Sequence, residues 1–175
     1  PILTTGSAAL AGGADTTYDP ARDPGSLASV TRAVGADRAW AKGFTGEGID
    51  IAVIDTGIAP VGALDGPGHV VHGPDVSFDA PNPALAHLDG AGHGTHIAGI
   101  IAGKEGDAPV SAADPGRFLG VAPDARLINI KAGDNTGAVD VSQVIAALDW
   151  IVQHGDRDGL DIRVVNLSFG TQGIQ

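Results

Sequence analysis

Residues 49–57 read IDIAVIDTG, and this stretch decides the fold class. The uninterrupted apolar residues 52–54 predict a strand that is buried on both faces, as in a parallel sheet. Asp55 follows at the carboxyl end of that strand, and Thr56-Gly57 predicts a sharp turn away from it. Ligands and catalytic groups of open parallel sheets gather at the carboxyl ends of the strands, so Asp55 stands where a functional site is expected.

Strands and helices alternate after this stretch. The clearest helix covers Val141–His154, where apolar residues recur at helical spacing between a capping Asp140 and a closing Gly155. The other predicted elements are helices over residues 36–42 and 93–102 and strands near residues 70–71 and over residues 126–131 and 163–168. This order predicts βαβ crossovers. We therefore expect an α/β fold of three layers, a mainly parallel sheet with helices on both faces, in which residues 163–168 form an interior strand.

Composition limits the function classes. The 175 residues carry 10 Lys and Arg against 21 Asp and Glu, a formal net charge of −11, which argues against binding to nucleic acid or to an anionic membrane surface. The apolar stretches are too short to span a bilayer, and a chain without Cys has neither disulfides nor a thiolate nucleophile. Because the chain begins with Pro1 instead of Met, we expect a piece of a longer precursor.

The turn signals divide the chain into two parts. Residues 1–28 contain Gly-Gly and Asp-Pro pairs and read as an extended N-terminal arm. Residues 29–175 contain the predicted strands and helices and form the globular portion.

Two side chains on regular elements could act together. Asp55 ends a predicted strand, and His93 begins a predicted helix. Taken alone, an Asp after a strand is more often a turn or cap residue, and a His at a helix start is more often a polar surface group. Together they offer a carboxylate that accepts the Nδ1 proton of an imidazole. Such a contact fixes the tautomer and leaves Nε2 free as a general base near neutral pH.

Several motifs then match one family in the right order. Asp55-Thr56-Gly57 and residues 93–99, which read HGTHIAG, resemble the Asp and His signatures of the subtilisin-like serine proteases, the subtilases. Residues 120–123 (GVAP) and 165–170 (VNLSFG) resemble later segments of that family, and the resemblance covers residues 36–172. It implies that the chain is the N-terminal portion of a subtilisin-like domain. It also implies a secreted serine endopeptidase that cleaves polypeptide substrates with an Asp-His-Ser triad.

The resemblance also assigns roles to single residues. Asp55 matches the family's orienting Asp and His93 its general base, whereas His96 matches no catalytic position and is expected to be a buried, hydrogen-bonded residue. Two segments match the walls that hold substrate: an edge strand, Gly137, Ala138 and Val139, and the end of a later strand, Ser168, Phe169 and Gly170. We expect a peptide to lie extended between these two segments.

The family's nucleophile does not match any residue of this chain. It stands in a Gly-Thr-Ser-x-Ala motif downstream of the segment that resembles VNLSFG, and no Ser here stands in such a motif. The serines are Ser7, Ser26, Ser29, Ser77, Ser111, Ser142 and Ser168. We therefore expect the Ser to come from downstream sequence or from a second chain. The expected partner is the C-terminal remainder of the same precursor.

The sequence leaves two other functions open. The chain could be a truncated or non-catalytic subtilase-like module that grips extended peptides by β-augmentation. It could also be a metal hydrolase that uses His93 and His96, although helical zinc motifs more often place two His four residues apart around a Glu. The triad requires no cofactor. Subtilases often bind calcium, but the Asp residues of this chain form no recognisable calcium loop.

Overall fold

A four-stranded parallel sheet with helices on both faces forms the centre of the computed structural model, which describes residues 18–170. The strands are β1 (Asp50–Asp55), β2 (Val70–Asp75), β3 (Arg126–Lys131) and β4 (Ile162–Leu167), and the helices are α1 (Leu27–Ala33), α2 (Ala36–Trp40), α3 (His93–Ala102) and α4 (Val141–His154). In space the strands follow the order β2-β3-β1-β4, and every pair is parallel. The predicted α/β fold class is confirmed.

Strand β1 is the centre of the core, and all six of its residues are buried. Alternate side chains enter two separate apolar clusters, because successive residues of a strand point to opposite faces. On one face, Ile51 and Val53 pack with Leu127 and with Ala98 and Ala102 of α3. On the other face lie Ala52, Ile54, Ile128, Ile130 and Ala147 of α4. This burial on both sides fixes the register that sets Asp55 beside Lys131.

The sequence explains how the two long helices begin. Asp140 and Gln143 form a capping box at α4: the Asp140 carboxylate accepts from the backbone N–H of Ser142, and Gln143 Oε1 accepts from that of Asp140. Helix α3 starts after Gly92, which has a φ of 86°. Its buried stripe consists of small residues, Gly94, Ala98, Gly99 and Ala102. Small side chains let this helix lie close to β1 and bring its first residue to the end of that strand.

Two features differ from the sequence prediction. Helix α1 begins at Leu27, inside the range predicted to be an arm, and Ser26 caps it by accepting from the backbone N–H of Ser29 at 3.1 Å. Most of the predicted arm, residues 1–17, lies outside the described residues. Strand β4 was predicted to be interior, but within residues 18–170 it is an edge strand of the sheet and pairs with β1 alone. The side chains of Val164, Val165 and Leu167 in this strand are exposed.

Among residues 18–170, no helix has both the length and the apolar character needed to cross a membrane.

We predict that replacing Val53 by Ala lowers the free energy of unfolding by about 2 kcal/mol, because two buried methyl groups are lost and β1 cannot close the cavity. Val53 is completely buried, whereas Val34 is 64% exposed. Val34→Ala is therefore the matched control, with an expected change below about 0.5 kcal/mol. Denaturant unfolding of the two variants measures both values. Equal effects would contradict the placement of β1 at the centre of the core.

Candidate active site

Asp55 is the last residue of β1 and is almost wholly buried, with 1% of its side chain exposed. The strand ends here because Gly57 turns the chain with a φ of 112°, a conformation that favours glycine. A Cβ at Gly57 would also lie 2.8 Å from the carbonyl oxygen of His87. The Oδ1 atom of Asp55 accepts from the backbone N–H of Thr56 at 2.7 Å. Within the described residues its Oδ2 atom has no hydrogen-bond partner.

His93 is the first residue of α3, and its Nδ1 lies 2.7 Å from Asp55 Oδ1. Because an ionised carboxylate can only accept hydrogen bonds, the imidazole donates from Nδ1. Half of the His93 side chain is exposed to solvent. The structure thus brings together the two side chains that the sequence singles out. The arrangement holds one ring nitrogen and leaves the other, Nε2, able to accept a proton from a group outside.

A third carboxylate, which the sequence reasoning missed, fixes the start of α3. Asp89 accepts from the backbone N–H of Gly92 at 2.7 Å, from that of Thr95 at 2.8 Å and from the Thr95 hydroxyl at 2.6 Å. It also accepts from the hydroxyl of Thr56 at 2.8 Å. That hydroxyl oxygen in turn accepts from the backbone N–H of Gly94 at 2.9 Å. Asp89 therefore ties the turn after Asp55 to the helix that begins with His93.

The hydrogen bonds around Asp89 decide its charge. Burial alone raises the pKa of this carboxyl, but the hydrogen bonds from Thr95, Thr56 and Gly92 outweigh burial and hold the pKa below its ordinary value of 3.8. An ionised carboxylate that accepts from backbone N–H groups at the start of a helix also interacts favourably with the helix dipole. The sequence signal was available: an Asp at the start of a Gly-rich turn, a few residues before a helix, is a common capping pattern.

The two predicted substrate-binding segments follow the strands that lie on either side of β1, which ends with Asp55. Residues 137–139 follow β3 and residues 168–170 follow β4, and β1 lies between these two strands. The first segment is not the edge strand that the sequence predicts. It belongs to a turn in which Ala138 both accepts from the backbone N–H of Asp134 at 2.9 Å and donates to the Asp134 carboxylate at 3.0 Å. These contacts close the turn on itself, so Gly137, Ala138 and Val139 pair with no strand of the described chain.

The second segment follows β4 directly. Ser168 accepts a hydrogen bond from the Asn166 side chain at 2.9 Å. Phe169 packs partly buried against the cluster on the α4 face, and Gly170 is exposed.

Comparison with known proteins identifies the family of this chain. Residues 46–175 match the model of the subtilase family. The chain belongs to the subtilase family. It is 33% identical over 134 residues to the minor extracellular protease Epr of Bacillus subtilis (strain 168), covering 77% of this chain and 17% of Epr. It is 36% identical over 138 residues to subtilisin Savinase of Lederbergia lenta, covering 79% of this chain and 43% of that protein. The chain thus spans less than half the length of either relative.

A solved structure, that of a cold adapted subtilisin-like serine proteinase, matches with a TM-score of 0.48 and 32% sequence identity, over 63% of this chain and 34% of that protein.

His96 does not occupy the buried position that the sequence predicts, because it is exposed. The buried stripe of α3 passes through Gly94 and Ala98, and a residue two places after Gly94 lies about 200° around the helix from it. His93 and His96 therefore do not face the core together. In residues 18–170 no group of three or more His, Asp or Glu side chains is arranged to hold a metal ion.

We predict that replacing Gly94 by Ala displaces His93 from Asp55. An added Cβ would lie 2.2 Å from the carbonyl oxygen of Gly57 and 3.1 Å from Asp55 Cβ, and the backbone on both sides is fixed. Gly62→Ala is the matched control, since a Cβ there meets nothing within 4 Å. Crystal structures of the two variants should show a broken Asp55–His93 contact in the first and an intact contact in the second. An unchanged contact in Gly94→Ala would refute the close approach of α3 to β1.

We predict that Asp89→Asn lowers the free energy of unfolding by about 2 kcal/mol, because a carboxylate that accepts several hydrogen bonds is replaced by a neutral amide. The folded-state pKa of Asp89 is depressed, so its contribution is present above the ordinary value of 3.8 and is lost as the pH falls below it. Unfolding of both proteins across this pH range measures the effect. The difference between them should shrink in acid, and a difference that grows would contradict the assignment.

Proposed function

We propose that this subtilase is a secreted serine endopeptidase that hydrolyses peptide bonds with an Asp-His-Ser triad. Asp55 orients His93, and His93 Nε2 takes the proton of an attacking Ser hydroxyl and later gives it to the leaving amine. The 2.7 Å contact between His93 Nδ1 and Asp55 Oδ1 carries the proposal. The reaction needs no cofactor. The name of one relative, the minor extracellular protease Epr, supports both proteolysis and secretion.

We propose that the nucleophilic Ser lies outside the segments of this chain that match the motifs of the family. None of its serines stands in a Gly-Thr-Ser-x-Ala motif. Ser168, which directly follows β4, accepts a hydrogen bond from the Asn166 side chain. The Ser is therefore supplied by the C-terminal remainder of the same precursor, either as downstream sequence or as a second chain.

Two exposed apolar surfaces support such a partner. Within residues 18–170 the outer edge of β4 is unpaired, and an unpaired strand edge is a template for further pairing. Val164 and Val165 of this strand are exposed. In helix α4 only Gln143 and Ala147 are buried, whereas the apolar side chains of Val141, Ile145 and Val152 are exposed. Large apolar side chains grouped on neighbouring surfaces are typical of an interface that another segment covers. We propose that the remainder of the protein covers both.

The substrate is proposed to be a polypeptide that binds as an extended strand. The order β3-β1-β4 supports this, because the two predicted substrate-binding segments follow the strands on either side of β1. An extended peptide between residues 137–139 and residues 168–170 would therefore pass over the Asp55–His93 pair. Main-chain hydrogen bonds give such complexes their affinity, and side-chain pockets give them their specificity.

We test the proposal with the complete protein and its variants Asp55→Asn, His93→Ala and His96→Ala. The first two should lower kcat/KM for a peptide substrate by at least about 10⁴-fold, because each removes one member of a cooperating set. His96→Ala is the matched control on the same helix and should keep full activity. A phosphonate directed at serine nucleophiles should abolish the activity of the wild-type protein.

Three outcomes would contradict the proposal. If His93→Ala kept its activity, His93 could not be the general base. Equal loss in His96→Ala, together with inhibition by a chelator, would favour the metal hydrolase. Tight binding of peptides without any cleavage would favour the non-catalytic module.

A further inference from the structure

Lys131 is the largest side chain among the fully buried ones of the described residues, and it carries a charge. It ends β3, directly beside Asp55 of β1. Burying an ammonium group is costly unless it is paired and hydrogen-bonded. The contacts of its Nζ atom therefore show what holds this part of the molecule together.

Four oxygen atoms surround the Lys131 ammonium. Asp79 Oδ2 lies at 2.9 Å, the carbonyl oxygen of Leu85 at 3.1 Å, that of Leu88 at 2.6 Å and Asn135 Oδ1 at 3.4 Å. One carboxylate, two backbone carbonyls and one side-chain amide supply these oxygens, and proteins also use such oxygen ligands for hard metal ions. Here a cation covalently tethered to β3 lies at the centre of these four oxygens.

The four oxygens come from the two loops at the carboxyl end of the sheet. The first, which we name the His loop, comprises residues 76–92 between β2 and α3, and the second, the edge loop, comprises residues 132–140 between β3 and α4. The loops also bind each other. The backbone N–H of Asn135 donates to Asp79 Oδ2 at 2.8 Å, and that of Gly90 donates to Asn135 Oδ1 at 3.1 Å.

Each loop leads to one half of the candidate site. The His loop contains Asp89, which caps the helix that begins with His93. The edge loop contains residues 137–139. Since Leu88 and Gly90 flank Asp89 and both belong to the network around Lys131, the network restricts the position of Asp89 itself.

We infer that Lys131 is a positioning residue: its buried ammonium joins the His loop to the edge loop and thereby holds His93 against Asp55. Among the described residues its ammonium makes no hydrogen bond to His93 or to residues 137–139 and 168–170, so it acts through Asp89 and Asn135. The part of this inference that concerns substrate rests on the proposed function. The part that concerns His93 does not, because it is a statement about geometry.

The test replaces Lys131 by Met in the complete protein, which preserves much of the side-chain volume and removes the ammonium. The matched control is Lys104→Met, since Lys104 also pairs with a carboxylate, that of Asp124 at 2.6 Å, but contacts neither loop. Hydrogen exchange of the Gly90, Gly92 and Asn135 amides should become about 10-fold faster or more in Lys131→Met. The low-field NMR signal of the His93 Nδ1 proton should broaden or vanish. Both should stay unchanged in Lys104→Met.

A second variant keeps the test decisive if Lys131→Met does not fold. Asn135→Ala removes the amide oxygen shared by Lys131 and Gly90 and leaves the ion pair between Lys131 and Asp79 intact. Exchange at Gly90 and Gly92 should again become faster. Unchanged exchange and an unchanged His93 proton signal in folded Lys131→Met, or in Asn135→Ala if the first variant is unfolded, would overturn the inference. If these signals respond while the wild-type protein cleaves no peptide, the proposed function fails and the inference stands.

Discussion

The hydrogen bond between His93 Nδ1 and Asp55 Oδ1 is the contact on which the rest of the site depends. A carboxylate that is 1% exposed must be compensated by donors, and the backbone of Thr56 and the ring of His93 supply them. Asp55 belongs to β1 and His93 to α3, so the packing of α3 on β1 determines the distance between the two side chains. That packing is possible because Gly94 leaves room for the carbonyl of Gly57.

Charges fix the two loops where apolar packing does not reach. The core clusters lie beneath the sheet faces, while the loops at the carboxyl end of the strands expose much of their surface to water. Hydrogen bonds to Asp89 and Lys131 stabilise these loops instead. The Asp89 carboxylate accepts from the start of α3, and the Lys131 ammonium donates to both loops.

Much of the fold could be predicted because its signals are local. The apolar run in β1, the capping box of α4 and the turn after Asp55 each lie within a few consecutive residues. Helix α1 was missed because seven residues are too short for helical periodicity to stand out. The position of β4 at an edge could not be predicted, since periodicity indicates a strand and not which strands lie beside it.

The candidate site was predictable only in part, for the same physical reason. Asp55 and His93 stand in recognisable motifs, whereas the contact between Asp89 and Thr56 and the role of Lys131 arise between segments far apart in the chain. The prediction for His96 is wrong because the small residues Gly94 and Ala98 decide which face of α3 is buried, and His96 does not lie on that face.

The tautomer of His93 tests the central claim most directly. Nitrogen-15 NMR of the complete protein at neutral pH distinguishes a proton on Nδ1 from a proton on Nε2. We predict that the neutral ring carries its proton on Nδ1, because Asp55 Oδ1 accepts it there, and that Nε2 is unprotonated and able to act as a base. A neutral ring with its proton on Nε2 would contradict the orientation of His93 by Asp55.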